Sequence, residues 1–146
     1  MQDDVTEYME SLDVPAPVRE RTTILLRRYD ALGVGRGRAF LSEASDEDGS
    51  RQYRSLWIFT PSAVMEAELR DEDTAEMDAV RLPGNLTRLV VRVRAFDFQP
   101  ATAESRLSVD LWFSDEILGQ LEASGANCDR LATLLRDYVV PAIVPD

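Results

Sequence analysis

Apolar residues recur at helical spacing at the start of the chain, which predicts two helices. The first covers 5–12, and its apolar face consists of Val5, Tyr8, Met9 and Leu12. Pro15 and Pro17 end it, because proline has no N–H and disfavours helix in the residue before it. Pro17 suits the first turn of a second helix over about 17–32, and Gly33 suits its C-terminal cap. The predicted buried positions of this helix are Val18, Leu25, Tyr29 and Leu32.

From residue 38 onward apolar and polar residues alternate, which predicts strands. Segments 38–43 and 53–60 flank the polar stretch 45–49 and resemble a hairpin, and 64–69 predicts a further strand. The clearest alternation covers 87–98 and 106–113. These two segments predict a long antiparallel hairpin.

The end of the chain predicts a closing helix. Leu131, Leu134, Leu135 and Tyr138 fall on one helical face, Asn127 or Asp129 suits the N-cap, and Pro141 is expected to end the helix. Two segments fit either structure: 71–82 and 115–124 each predict a strand or a short helix.

Together these elements predict an α+β fold: a strongly bent antiparallel sheet of about five to seven strands, N-terminal helices and a closing C-terminal helix. With strands at both ambiguous segments, the element order over 37–140 resembles the pleckstrin-homology-like roll. With helices there, the order α-β-β-β-α-β-β-α resembles type III secretion chaperones. We favour the roll, because 79–82 leads into the long strand at 87 as one strand leads into the next.

The length of 146 residues predicts one domain over 1–146. Residues 1–16 form its amphipathic helix and proline-containing linker, 17–140 its core and 141–146 an apolar tail. The only cysteine is Cys128, so no intrachain disulfide is expected. The acidic N-terminus does not resemble a signal peptide, and no apolar run has the length of a membrane span. These features predict a cytoplasmic protein.

The charge pattern narrows the range of possible functions. The net charge is −11, and the 16 basic residues are all arginine. An acidic excess opposes binding to nucleic acid and to anionic membranes, since both need cations. Without histidine or lysine the chain has no Ser–His or Cys–His nucleophile pair, no Schiff-base lysine and no phosphate-loop lysine. We predict no catalytic residue, no metal site and no cofactor.

Four local motifs have structural interpretations. The acidic runs 46–48 and 71–73 lack the ligand spacing of a calcium loop and predict solvated turns. Cys128 is interpreted as a core residue, since no histidine can activate it. The glycine-rich segment 33–38 lies between a helix and a strand, the reverse of a phosphate loop, and predicts a helix stop and connector.

The strand pattern also predicts an interaction surface. If Met65 and Ala67 point inward, the charged residues between and beside them point outward, and the same alternation exposes polar residues on the later strands. Apolar residues at both chain ends add a second candidate surface. The complete set is Tyr8, Met9, Leu12, Glu66, Glu68, Arg92, Arg94, Asp110, Trp112, Val139 and Ile143.

Three functions fit this pattern. The favoured one is a non-catalytic protein-interaction or adaptor module that binds a protein partner or itself, as a homodimer. The second is a small-molecule-binding domain or carboxylate-using enzyme, with Glu66, Glu68, Asp110, Arg92 and Arg94 around a cleft. The third is an acidic mimic of nucleic acid, which requires carboxylates at regular spacing on one exposed face.

Overall fold

The computed structural model describes residues 2–33, 37–45, 50–61, 63–69, 77–81, 86–98, 100–114 and 116–143. The chain divides into two compact units. The first contains residues 1–60 and 64–80, and the second contains 61–63 and 81–146. Both contain antiparallel sheet, and helices accompany the strands, so the predicted α+β class is confirmed.

Two helices open the first unit: α1 (Gln2–Ser11) and α2 (Ala16–Ala31). Pro17 lies in the first turn of α2, and Gly33 follows the helix with a φ of +80°, as the sequence predicts. The apolar face of α1 is buried, and the Tyr8 hydroxyl accepts a hydrogen bond from the Leu41 N–H at 2.9 Å. The prediction of a buried Leu32 is wrong. This residue caps α2 beyond its last turn and is exposed.

The sheet of the first unit has the order β1-β2-β3-β4. Its strands are β1 (Arg38–Ser45), β2 (Arg51–Phe59), β3 (Val64–Glu68) and β4 (Met77–Arg81), of which Arg81 belongs to the second unit. The predicted hairpin of β1 and β2 is present, and its turn at 46–49 lies outside the described residues. Gly37 is required at the entry to β1, because a Cβ there would lie 2.5 Å from the Phe59 carbonyl oxygen.

The second unit contains a sheet with the order β5-β6-β7. Its strands are β5 (Leu86–Arg94), β6 (Arg106–Phe113) and β7 (Glu116–Ser124). The predicted long hairpin is confirmed, with Val91 opposite Val109 at its centre. Strand β5 ends at Arg94 and not at the predicted residue 98, because Ala95 takes a positive φ of 53° that turns the chain away.

A closing helix follows β7 and packs on its own sheet. It comprises α3 (Asn127–Leu134), a π-helical turn (Leu135–Val139) and α4 (Val140–Ile143). Leu131, Leu134 and Leu135 are buried, as predicted. Pro141 does not end the helix. The Val140 N–H bonds five residues back to the Leu135 carbonyl, and this wider turn relaxes the clash that a proline ring makes with the preceding α-helical turn.

No side chain caps α3, although the sequence predicts Asn127 or Asp129 in that role. Asn127 is buried, and the Asp129 carboxylate instead accepts the Ala101 N–H at 3.0 and 3.2 Å. The carboxylate thereby fixes the connection between β5 and β6 to the first turn of the helix.

Both ambiguous segments contain strands. Residues 116–124 form β7, which pairs with β6, so the helical alternative is wrong there. In the other segment β4 covers 77–81, and residues 71–76 lie outside the described part of the chain.

Candidate functional site

Alternation along β5 and β6 places charged side chains on one face of the second sheet. Residues directly opposite each other share a face, and the register pairs Arg88 with Trp112, Arg92 with Ser108, and Arg94 with Arg106. Asp110 lies on the same face, opposite Val90. We call this surface the arginine face; it comprises Arg88, Arg92, Arg94, Arg106, Asp110 and Trp112. The four interaction residues predicted on these strands are therefore brought together.

An ion pair lies at the centre of the arginine face. Arg92 donates to the Asp110 carboxylate, with 2.8 Å between Nη1 and Oδ2. The Asp110 side chain is only 6% exposed, whereas the Arg92 side chain is 60% exposed. The other carboxylate oxygen, Oδ1, is buried and has no hydrogen-bond partner among the described residues. A buried carboxylate thus depends on one arginine that itself faces solvent.

Trp112 provides the aromatic part of this surface. The Arg88 guanidinium lies over its ring, 5.8 Å from the centroid, which is within the range of a cation–π contact. The indole Nε1 is buried without a hydrogen-bond partner in the described chain. Tryptophan flanked by arginine is the composition found at the energetic centres of protein interfaces.

Arg94 is the cation of this face that is most available to a partner. Its side chain is exposed and makes no ion pair or hydrogen bond with any described residue. Its cross-strand neighbour is Arg106, which donates to the carbonyls of Ala103 and Ser105. Like charges placed directly opposite each other destabilise a sheet, so an anionic group bound between them would be favoured.

The other two predicted strand residues, Glu66 and Glu68, lie on β3 in the first unit. Glu66 is opposite Trp57 and Glu68 is opposite Ser55. Glu68 lines a half-open cleft of about 370 Å³ with Ser45, Gln52, Tyr53, Arg54, Ala44 and Leu69. The five residues predicted around one cleft are thus divided between two sheets, and only Glu68 reaches this cleft.

A buried carboxylate stands beside that cleft. Glu43 is 7% exposed, follows a β-bulge after Ser42, and accepts from the Arg51 Nε at 3.2 Å. It is directly opposite Tyr53. Burial, and then the negative charge of Glu43, raise the pKa of the Tyr53 phenol above its ordinary value of 10.0. Deprotonation of the Tyr53 hydroxyl is therefore harder than that of an exposed tyrosine.

The structure buries most of the terminal residues predicted to interact. Tyr8 and Met9 are part of the core of the first unit, and Val139 is part of the core of the second. Leu12 and Ile143 are half-buried. At the C-terminus the exposed apolar residue is instead Val140, at 43%. A surface role for Tyr8, Met9 or Val139 thus has no exposed side chain to support it.

The remaining motifs have no catalytic geometry. Cys128 is completely buried in the first turn of α3, which agrees with its interpretation as a core residue. Among the residues that the structure describes, no cluster of three Cys, Asp or Glu side chains could hold a metal ion. The acidic runs 46–48 and 71–73, and residues 34–36 of the glycine-rich segment, lie outside the described ranges.

Sequence reasoning missed Arg88, Arg106 and the Glu43–Tyr53 pair. Arg88 is two residues before Val90 in the same alternation as Arg92, so the strand period contained the signal. The pairing of Glu43 with Tyr53 depends on a bulge, which shifts the register by one residue and leaves no mark in the sequence.

Comparison of the chain with protein-family models, with curated proteins and with solved structures gives no match. Within the described chain, no helix combines the length and apolar character needed to cross a membrane.

Proposed function

We propose that this protein is a non-catalytic interaction module that binds a protein partner through the arginine face. The observation that carries the proposal is the exposure of Arg88, Arg92 and Arg94 beside Trp112 on one sheet face. Acidic residues outnumber arginines two to one in the first unit but nearly balance them in the second. A local basic surface attracts an acidic partner, which the net negative charge of the protein would otherwise repel.

The test compares three forms of the full chain as bait for extracts of the source cells. These are the wild type, Arg94→Glu, and the matched control Arg27→Glu, whose exposed arginine lies on α2. We expect an acidic protein that the wild type and the control retain, that Arg94→Glu loses, and that elutes as salt is raised. The purified partner must then bind with defined stoichiometry in a titration. Retention that is equal for all three baits, or the lack of any saturable partner, would overturn the proposal.

A second candidate function is the binding of a small polar molecule in the cleft beside Tyr53. Its support is the half-open shape and the polar lining from Ser45, Gln52, Tyr53 and Glu68. A thermal-shift screen of polar metabolites tests it, with Tyr53→Phe as the variant. We expect a compound that raises the melting temperature of the wild type and has a smaller effect on the variant. If no compound has a specific effect, this function is not supported. The nucleic-acid-mimic hypothesis stays a prediction.

We also propose that the chain has a pleckstrin-homology-like roll and acts in the cytoplasm. Support for the roll is the element order: a four-stranded sheet and then a three-stranded antiparallel sheet, each with its strands in chain order, followed by a helix. The single cysteine supports a reducing compartment. An experimental structure tests the fold, and localisation of the tagged full-length protein tests the compartment.

A further inference from the structure

Among the described residues, β5 is one of the two edge strands of the second sheet. In the order β5-β6-β7, β5 has β6 on one side and no strand of the described chain on the other. Its residues make no backbone hydrogen bonds with other described elements along that side. A nine-residue edge strand presents a row of N–H and C=O groups that another extended segment can pair with.

The inner, apolar side of β5 is also incompletely covered. Val93 is 42% exposed, and Leu89 and Val91 are half-buried. Their cross-strand partners on β6 are at most 1% exposed: Leu107, Val109 and Leu111. The apolar row of this sheet therefore stops short at β5, where one more strand would cover it.

A helix and a hollow of mixed polarity border β5. Helix α4 packs against β5 and presents Val140, which is 43% exposed. Beyond the end of the strand lies a hollow of about 430 Å³ lined by Val93, Ala95, Phe96, Asp97, Pro100 and Thr102. The loop that forms it is held by the Ser105 hydroxyl, which donates to the Ala95 carbonyl at 2.8 Å. Helix α4 and this loop therefore both lie next to β5.

The charge of β5 selects what can pair with it. Arg88, Arg92 and Arg94 all point to the outer face, where a neighbouring strand would place its side chains about 5 Å away. A second copy of β5 would place arginines beside arginines, and this repulsion disfavours self-pairing. The other edge strand, β7, carries Gln120 and Glu122 on the same face and no arginine. An acidic segment therefore fits β5 and not β7.

We propose that the partner contributes an extended acidic segment that adds to the free edge of β5 as an antiparallel strand. This inference rests on the proposed function and specifies its mode of binding. The segment has acidic residues opposite Arg94, Arg92 and Arg88, and apolar residues at the alternate positions that cover Leu89, Val91 and Val93. Read from its N-terminus, the pattern is acidic, apolar, acidic, apolar, any, apolar, acidic.

The experiment titrates the ¹⁵N-labelled full chain with the capped peptide Glu-Val-Glu-Val-Thr-Val-Glu. We expect shift changes along 86–94 and slowed amide exchange at alternate residues of β5. Two N-methylated peptides provide the strand signature, because only alternate residues of a strand bond to a given neighbour. One peptide is methylated at the backbone nitrogens of Glu and Thr, and the other at the backbone nitrogens of Val. One of the two should fail to bind, and the other should still bind.

Arg94→Glu should weaken binding of the Glu peptide by about fivefold or more and improve binding of the peptide with Lys at the three Glu positions. Arg27→Glu should change neither affinity. Three results would overturn strand addition: equal sensitivity to both methylations, no binding of the Glu peptide at millimolar concentration, or a dimer that occupies β5. None of these results decides the outcome of the capture experiment with the three baits. Failure of the binding mode and failure of the proposed function are therefore distinguishable.

Discussion

The ion pair between Arg92 and Asp110 predicts unequal costs for removing its two partners. Arg92→Ala leaves a carboxylate that is 6% exposed without its arginine, whereas Asp110→Ala leaves a 60% exposed arginine that water can solvate. The first change strands a buried charge and the second does not. We therefore expect Arg92→Ala to destabilise the protein more than Asp110→Ala.

The magnitude follows from the burial of the two partners. Exposed pairs contribute about 0.2–1 kcal/mol, and breaking a fully buried pair costs about 3–5 kcal/mol. This pair lies between these limits because one partner is buried and the other faces solvent. We expect a loss of about 2 kcal/mol for Arg92→Ala and about 1 kcal/mol for Asp110→Ala. The double variant should resemble Asp110→Ala, since it has no buried charge left to strand.

Urea denaturation of the two single variants, the double variant and the wild type measures this cycle without screening the charges. Arg94→Ala is the matched control: it removes an exposed arginine of the same strand and should change the unfolding free energy by less than about 0.5 kcal/mol. The reasoning is refuted if Arg92→Ala costs no more than this control, or if the two single variants are equally destabilised.

Three further predictions concern the core and the cleft. Gly37→Ala should lower stability by about 1–3 kcal/mol in urea, because its Cβ would collide with the Phe59 carbonyl; an unchanged midpoint would contradict the contact. Cys128 should react with a thiol reagent only at the rate of unfolding, and rapid labelling of native protein would show that it is not buried. The Tyr53 phenol should titrate above pH 10 when followed at 295 nm, and Glu43→Gln should lower that midpoint without restoring 10, since burial is the larger cause. Because the raised pKa favours the protonated form, its stabilising effect is complete below pH 10 and is lost as pH rises through the folded-state value; Tyr53→Phe should lack this loss.

Local periodicity predicted much of the fold because single elements leave a repeating pattern. The alternation over 106–113 gave β6 with the bounds that the structure has, and the helical spacing near residue 131 gave α3. The end of β5 escaped prediction because Ala95 adopts a left-handed conformation that its residue type does not signal. The passage of the last helix through Pro141 was not predicted for a similar reason, since no residue type signals the π-helical turn that precedes the proline.

The sequence predicted which residues share the arginine face, but it did not predict how deeply each of them is buried. Alternation placed Arg92, Arg94, Asp110 and Trp112 on one side of a hairpin, and the register confirms this. The same pattern predicted a solvated side chain at Asp110, which the structure buries. Burial of an outward-facing residue depends on what covers the sheet, and sequence alternation contains no information about that.

The arginines of β5 affect two kinds of strand pairing: pairing with a second copy of the chain and pairing with a different protein. Charges on an edge strand oppose pairing with an identical strand, which keeps a partly uncovered apolar row from joining copies of the chain together. The same charges attract a strand of opposite sign, so the feature that disfavours self-association also selects the partner. If the arginines only prevented aggregation, replacing Arg94 with glutamate would leave binding to a partner unchanged as long as the variant stays monomeric. Loss of binding by a variant that remains monomeric therefore separates recognition from protection.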